Sequence, residues 1–147
     1  MTPTLATIGY ERHPEPESLI AALRTAGVQL LVDVRDLPLS RRRGFSKRAL
    51  AEALQGAGIR YEHARALGNP KPYRDLYKQG SVAEGRELYT RHLQAGSTDA
   101  VDALEAQVIS GERTCVLCVE HDHEVCHRAV LADLMHTRLS DLEVVHL

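Results

Sequence analysis

The stretch "QLLVDVR", Gln29–Arg35, runs almost without interruption through apolar residues and is cut off by Asp33, Arg35 and the following Pro38. A strand with one wet face alternates apolar and polar residues, whereas a strand covered on both faces reads as a continuous apolar run. This stretch therefore reads as a central strand of a parallel sheet. A parallel neighbour can be reached only through a crossover, usually a helix, so helices are expected on either side of it in the chain.

The flanking sequence supplies them. Upstream, "TLATIGY" is a short β-rich run ending at Gly9, and "PEPESLIAALRTAG" carries Leu19, Ile20 and Leu23 at helical spacing, with prolines at its start and Gly27 at its end. Downstream of a basic loop, "SKRALAEALQGAG" reads as a helix with Ser46 as N-cap and Gly58 past its end, followed by a short strand, "IRYEHA". The segment "RALGNPKPYRDLYKQG" mixes Gly, Asn and two prolines with tyrosines and reads as loop. Ser81 and Glu84 are spaced as a capping box opening a helix through "GRELYTRHLQAG". A helix "DAVDALEAQVISG", a strand "RTCVLCVE", a helix "HRAVLADLMHTRL" and a strand "LEVVHL" complete the chain. The alternation predicts a single α/β domain over residues 1–147 with a Rossmann-like three-layer build, a mainly parallel sheet of about five strands and helices on both faces.

The composition agrees. A chain of 147 residues with 44% hydrophobic and 26% charged residues is the size and kind that buries one core. A net charge of −2 gives no bulk attraction to nucleic acid or anionic lipid. The first residues, "MTPTLATIGYERHPEP", lack the pattern of a signal peptide, and no apolar run is long enough to cross a bilayer, so no membrane partner is expected. Three cysteines without a spaced framework point to a reducing compartment, with the cytoplasm expected. No signature names a cofactor or an oligomeric state.

In parallel α/β sheets, ligands sit at the carboxyl ends of the strands. Chemically capable residues gather there in this sequence: Thr7, Gly9 and Tyr10 after the first strand, Asp33, Arg35, Ser40 and Arg41 after the second, His63 after the third, and Cys118, Glu120, Cys126, His127 and Arg128 after the fourth. Two readings stand, the ordinary meeting of strand ends with polar loops, and one composite pocket.

Four ordered motifs, "TIGY", "DVRDLPLSRRRGFS", "YEHARALGN" and "LCVEHDHEVCHR", together resemble the family catalogued as domain of unknown function 488. The resemblance runs from about Thr7 to Met135 and is carried by Asp33-x-Arg35, Pro38, Ser40-Arg41, Phe45, Cys118-x-Glu120 and Cys126-His127-Arg128. The chain departs from the family pattern at Tyr10, where a histidine is usual, and at Asn69, where a glycine is frequent. The resemblance implies that the matching positions share a site, and implies no particular substrate.

The stretch Cys115–Met135 holds all three cysteines and three of the eight histidines. Cys115 and Cys118 have CxxC spacing, but residues three apart on a strand point to opposite faces, so a structural zinc held by Cys115, Cys118, Cys126 and His127 is not expected, and no metal ligands are assigned. A looser set drawn from Cys118, His121, His123, Cys126 and His127 stays open, beside the reading of His121–His123 as a solvated loop. Cys126 at a helix start beside His127 and Arg128 has neighbours that lower a thiol pKa, so a reactive thiol is one option and a buried cysteine closing the loop another.

The same helix start suits an anion, with Arg128 in its first turn, Arg35 and Arg41 approaching from the neighbouring strand end, and Gly9 allowing close approach of a ligand. Asp33 and Glu120 are candidate acid/base residues or, alternatively, carboxylates that orient arginines. His63 and His127 are candidate proton-transfer groups or supports. The run "SRRRGFSKR", Ser40–Arg48, carries five positive charges. The expectation is a small anionic or phosphorylated, nucleotide-like ligand bound by Gly9, Tyr10, Arg35, Ser40, Arg41, His63, Cys118 and Arg128, with hydrolysis or group transfer by Asp33, Glu120, Cys126 and His127. A non-catalytic nucleic-acid-binding module using residues 40–48 is the alternative, and a metal- or redox-responsive thiol protein the third.

Overall fold

A computed structural model describes residues 2–147 and shows a five-stranded, all-parallel sheet in the order β3-β2-β4-β1-β5. The strands are β1 (Thr4–Gly9), β2 (Leu30–Asp33), β3 (Arg60–His63), β4 (Thr114–Cys118) and β5 (Glu143–His146). Six α-helices connect them among the described residues: α1 (Pro16–Thr25), α2 (Lys47–Gly56), α3 (Lys71–Lys78), α4 (Val82–Gly96), α5 (Thr98–Ile109) and α6 (His127–Arg138).

Every residue of β2 and β4 is buried, as the apolar run of β2 requires. Alternation along these strands feeds two cores. Leu31, Cys115 and Leu117 pack with Leu19 and Leu23 of α1 and Leu50 and Leu54 of α2. Leu30, Val32, Val34, Val116 and Cys118 pack on the opposite face with Tyr89 and Leu93 of α4, Val101, Leu104 and Val108 of α5, and Leu131 and Met135 of α6. Each fully buried leucine contributes about 1.5–3 kcal/mol relative to exposure, so the two faces together supply the main driving force. The layering also fixes the cysteines: Cys115 and Cys118 face opposite cores and cannot share an ion.

Two local expectations are corrected. The segment expected as loop after β3 contains α3, because Pro70 precedes the helix and Pro72 sits in its first turn, where a missing N–H costs nothing. The helix is clamped by α4: a Cβ on Gly85 would come within 2.9 Å of the Tyr77 ring. The capping box at Ser81 does not form. Ser81 has φ −83° and ψ 55°, outside the extended region an N-cap uses, and its N–H closes the end of α3 by donating to the Leu76 carbonyl at 2.9 Å. Ser46 does occupy the N-cap of α2, but its hydroxyl is engaged with Ser40, accepting from the Ser40 N–H at 3.0 Å, rather than with the helix.

No described helix is long and apolar enough to cross a membrane.

Candidate functional site

The sheet order creates a parting of loops. β2 continues toward α2 on one face and β4 toward α6 on the other, and the two strands are neighbours, so a crevice opens between their carboxyl ends. A cleft of about 280 Å³ lies there, walled by Arg35, Asp36, Asn69, Arg74, Tyr77, Cys118, Glu120, Cys126 and His127, with Leu37, Leu39 and Val125 also lining it.

At its floor two sulfurs meet one imidazole. After β4 the chain turns through a 3-10 segment, His123–Val125, whose entry is fixed by Asp122 accepting from the Glu124 N–H at 2.9 Å. The turn brings Cys126, the N-cap of α6, back beside Cys118. His127 Nδ1 is 3.5 Å from Cys118 Sγ and 3.8 Å from Cys126 Sγ. Its Nε2 is 2.7 Å from the Val34 carbonyl. A carbonyl only accepts, so Nε2 carries a hydrogen and Nδ1 faces the sulfurs, as a lone pair whenever the ring is neutral. The edge of the imidazole is braced by Tyr89 at a centroid distance of 5.0 Å, and the Tyr89 hydroxyl donates to the Leu67 carbonyl at 2.6 Å. Glu120 Oε2 lies 3.5 Å from Cys118 Sγ.

Burial pushes the Cys126 thiol well above its ordinary pKa, and the Cys118 sulfur beside it adds to the rise, outweighing His127. The lowered thiol pKa expected from its neighbours in sequence is therefore reversed. Cys126 is only 2% exposed, and loss of hydration there exceeds what the helix start and the imidazole return.

The upper wall carries polar atoms with nothing to bond. Asn69 is buried and its Oδ1 has no partner, and the Tyr77 hydroxyl is likewise buried, beside the Arg86 guanidinium but without a hydrogen bond of good geometry to it. Burial raises the Tyr77 phenol to about 12. Arg74 spans this wall, donating to the Asn69 carbonyl at 2.8 Å and to Asp36 at 3.3 Å. Arg74 and Tyr77 were not singled out from the sequence, and Asn69 stood out there only as a departure from the family pattern. Treating Pro70 and Pro72 as a helix start would have put Tyr73, Arg74 and Tyr77 on successive turns of one helix and exposed the signal.

The other sequence candidates are placed as follows. Arg35, Cys118, Glu120, Cys126 and His127 wall the cleft. Asp33 lies behind Arg35, both fully buried, with their closest oxygen and nitrogen 2.7 Å apart; Tyr61 donates to the same carboxylate and Arg35 Nη1 donates to the Phe45 carbonyl at 2.7 Å. His63 Nε2 is 2.8 Å from the Arg35 carbonyl and braces that turn. Tyr10 is buried, stacked on Phe45 at 4.7 Å, away from the cleft. Ser40 accepts from the Arg42 N–H at 3.1 Å, and Arg41 is exposed outside the cleft lining.

Gly9 does face a close approach, but by the chain itself, since a Cβ there would overlap the Glu120 carbonyl. Arg128 is completely buried and is used up by the fold: it donates to the Glu120 carbonyl, to the His121 carbonyl at 2.8 Å and to the Thr7 hydroxyl at 3.2 Å. It fastens the loop after β4 to β1 and does not wall the cleft. His121 and His123 stand apart from the sulfur cluster, with His123 stacked on His146 at 3.6 Å.

The sheet order and the thiol–imidazole floor define a three-layer α/β protein with a crevice at its strand-order switch. The chain belongs to the DUF488 family, described as "Domain of unknown function DUF488", whose profile matches residues 15–135. No curated protein and no solved structure matches it.

Proposed function

We propose that this protein binds a small anionic, nucleotide-like molecule in the cleft at the carboxyl edge of the sheet and acts on it by hydrolysis or group transfer. The observation that carries the proposal is the pair of buried, unpartnered polar atoms, Asn69 Oδ1 and the Tyr77 hydroxyl, on the wall of the cleft that holds Glu120 and His127. A buried polar group left without a hydrogen bond costs about 1–3 kcal/mol, which a ligand supplying the partner would recover. Arg74 gives the wall a cationic donor, and the exposed Leu37 and Leu39 beside it suit an apolar ring.

In this reading His127 Nδ1 and the Glu120 carboxylate are the groups that take and return a proton, and Asp33 acts indirectly by holding the Arg35 fork. The basic loop supports a nucleic-acid module less well. Arg42 is spent on the fold, donating to the carbonyls of Tyr10, Glu11 and His13 at 2.7–2.9 Å.

The test is calorimetry with inorganic phosphate, pyrophosphate and nucleoside monophosphates. Saturable binding by at least one of them is expected, weakened about tenfold in Asn69→Ala and in Tyr77→Phe, the size of one lost hydrogen bond. Absence of binding across the panel, or equal affinity in both variants, refutes the reading.

A further inference from the structure

The geometry points to a mononuclear site for a zinc-class divalent ion held by Cys118 Sγ, Cys126 Sγ and His127 Nδ1, with a fourth coordination position open to the cleft. The three ligand atoms lie within 4.8 Å of one another. Zinc–sulfur and zinc–nitrogen bonds of about 2.3 and 2.0–2.1 Å at a tetrahedral angle place sulfur and nitrogen about 3.6 Å apart. The observed separations from Nδ1 are 3.5 and 3.8 Å. The ligands need only small adjustments to close around an ion.

Two further features favour a site over a chance meeting of core cysteines. A metal-binding histidine usually donates its other ring N–H to a carbonyl or carboxylate, which fixes the ring and its tautomer, and the Val34 carbonyl does this for His127. The donor set is also soft, which favours zinc-class ions over magnesium or calcium. On binding, the two thiols each release one proton, and two thiolates, a neutral imidazole and a divalent cation sum to zero charge. A neutral cluster is the form such a buried floor accommodates, since an unpaired charge there is strongly disfavoured. Three protein ligands and one open position is the arrangement of a catalytic rather than a structural zinc, and Glu120 stands beside that position, 3.5 Å from Cys118 Sγ.

The inference shares the cleft with the ligand reading but does not depend on it; with the ion bound, His127 Nδ1 is a ligand and the Glu120 carboxylate alone is left to take and return a proton. It is tested by titrating the full chain, kept reduced with a phosphine, with Co²⁺ and then Zn²⁺. One equivalent of Co²⁺ should give thiolate-to-cobalt charge-transfer absorption and intense tetrahedral visible bands, both erased by Zn²⁺. Cys118→Ser and Cys126→Ser should lose the spectrum, while Cys115→Ala, altered on the opposite face of the sheet, should keep it. A featureless spectrum of the native reduced chain overturns the site, and this holds whether or not the variants fold. An undiminished spectrum in Cys126→Ser overturns it as well. Calorimetry of the ion-free chain with nucleoside monophosphates reads the ligand proposal separately, so the two can fail independently.

Discussion

Gly9, the last residue of β1, and Glu120, two residues past β4, pack backbone against backbone, and Arg128 Nη1 would lie 3.0 Å from any Cβ placed on Gly9. The glycine is required by this approach of the chain to itself. Gly9→Ala must push the Glu120 carbonyl away, and the opposing atom is backbone, so the strain cannot be relieved by a rotamer change. A cost of about 3 kcal/mol is expected in urea unfolding, at the upper end of overpacking effects. A variant as stable as the native chain would show that the loop after β4 moves freely.

Arg128 and Leu131 are expected to behave alike in stability and differently from the cleft residues. Truncating the fully buried Leu131 should cost about 2–5 kcal/mol. Arg128→Ala removes charge-assisted bonds to two carbonyls and the Thr7 hydroxyl, and should cost at least about 3 kcal/mol. Arg128→Lys should recover only part, because a single ammonium cannot reproduce the fork. Urea unfolding of the three variants checks this. A near-native Arg128→Ala would argue against its role as a strut.

The Asp33–Arg35 pair predicts a double-mutant cycle. Arg35→Met leaves the buried Asp33 carboxylate uncompensated and should cost about 3–5 kcal/mol, whereas Asp33→Asn combined with Arg35→Met should be less damaging than the sum of the two single changes. Strict additivity in chemical denaturation would mean that the two side chains are not coupled.

Tyr77 separates function from stability. Its folded-state phenol is raised to about 12 from 10.0. Its contribution is therefore fully present below about pH 10 and is lost as the pH rises from there through about 12, because the unfolded chain ionises first. Tyr77→Phe should remove its share of this alkaline limb and leave the part due to Tyr61 and Tyr89, whose phenols burial also raises. At pH 7 it should leave stability unchanged or slightly higher, since the hydroxyl it removes is buried without a partner, while ligand affinity falls. A large loss of stability at pH 7 would mean that the hydroxyl is bonded within the protein.

The parallel sheet and its layers were legible because their signal is local: the run Leu30–Val34 can only be a strand covered on both sides, and Leu19 and Leu23 mark a helix face by spacing alone. The gathering of Arg35, Cys118, Glu120, Cys126 and His127 followed from the rule that strand ends share an edge. What the sequence hid depends on tertiary contacts. Helix α3 buries no residue completely and is held by the fit of Tyr77 over Gly85, so its own composition reads as loop. Arg128 looked like an anion ligand because its three acceptors come from β1 and from the loop after β4, which only the β1–β4 pairing brings together. The raised Cys126 thiol was misread for a related reason: its neighbours in sequence are polar, but its surroundings in space are core.

The central claim, that the crevice between β2 and β4 is the functional site, is tested most directly by amide-resolved NMR titration with a nucleoside monophosphate. Both the backbone and the Asn69 side-chain amide are observed in such spectra, so the position of the ligand is read without assuming the reaction. Saturable shifts at the Asn69 side-chain amide and at the backbone amides of Glu120, Cys126 and His127 are expected, with the exposed Arg41 and Arg43 little changed. Shifts confined to residues 40–48, or none at the crevice at saturating ligand, would contradict the account.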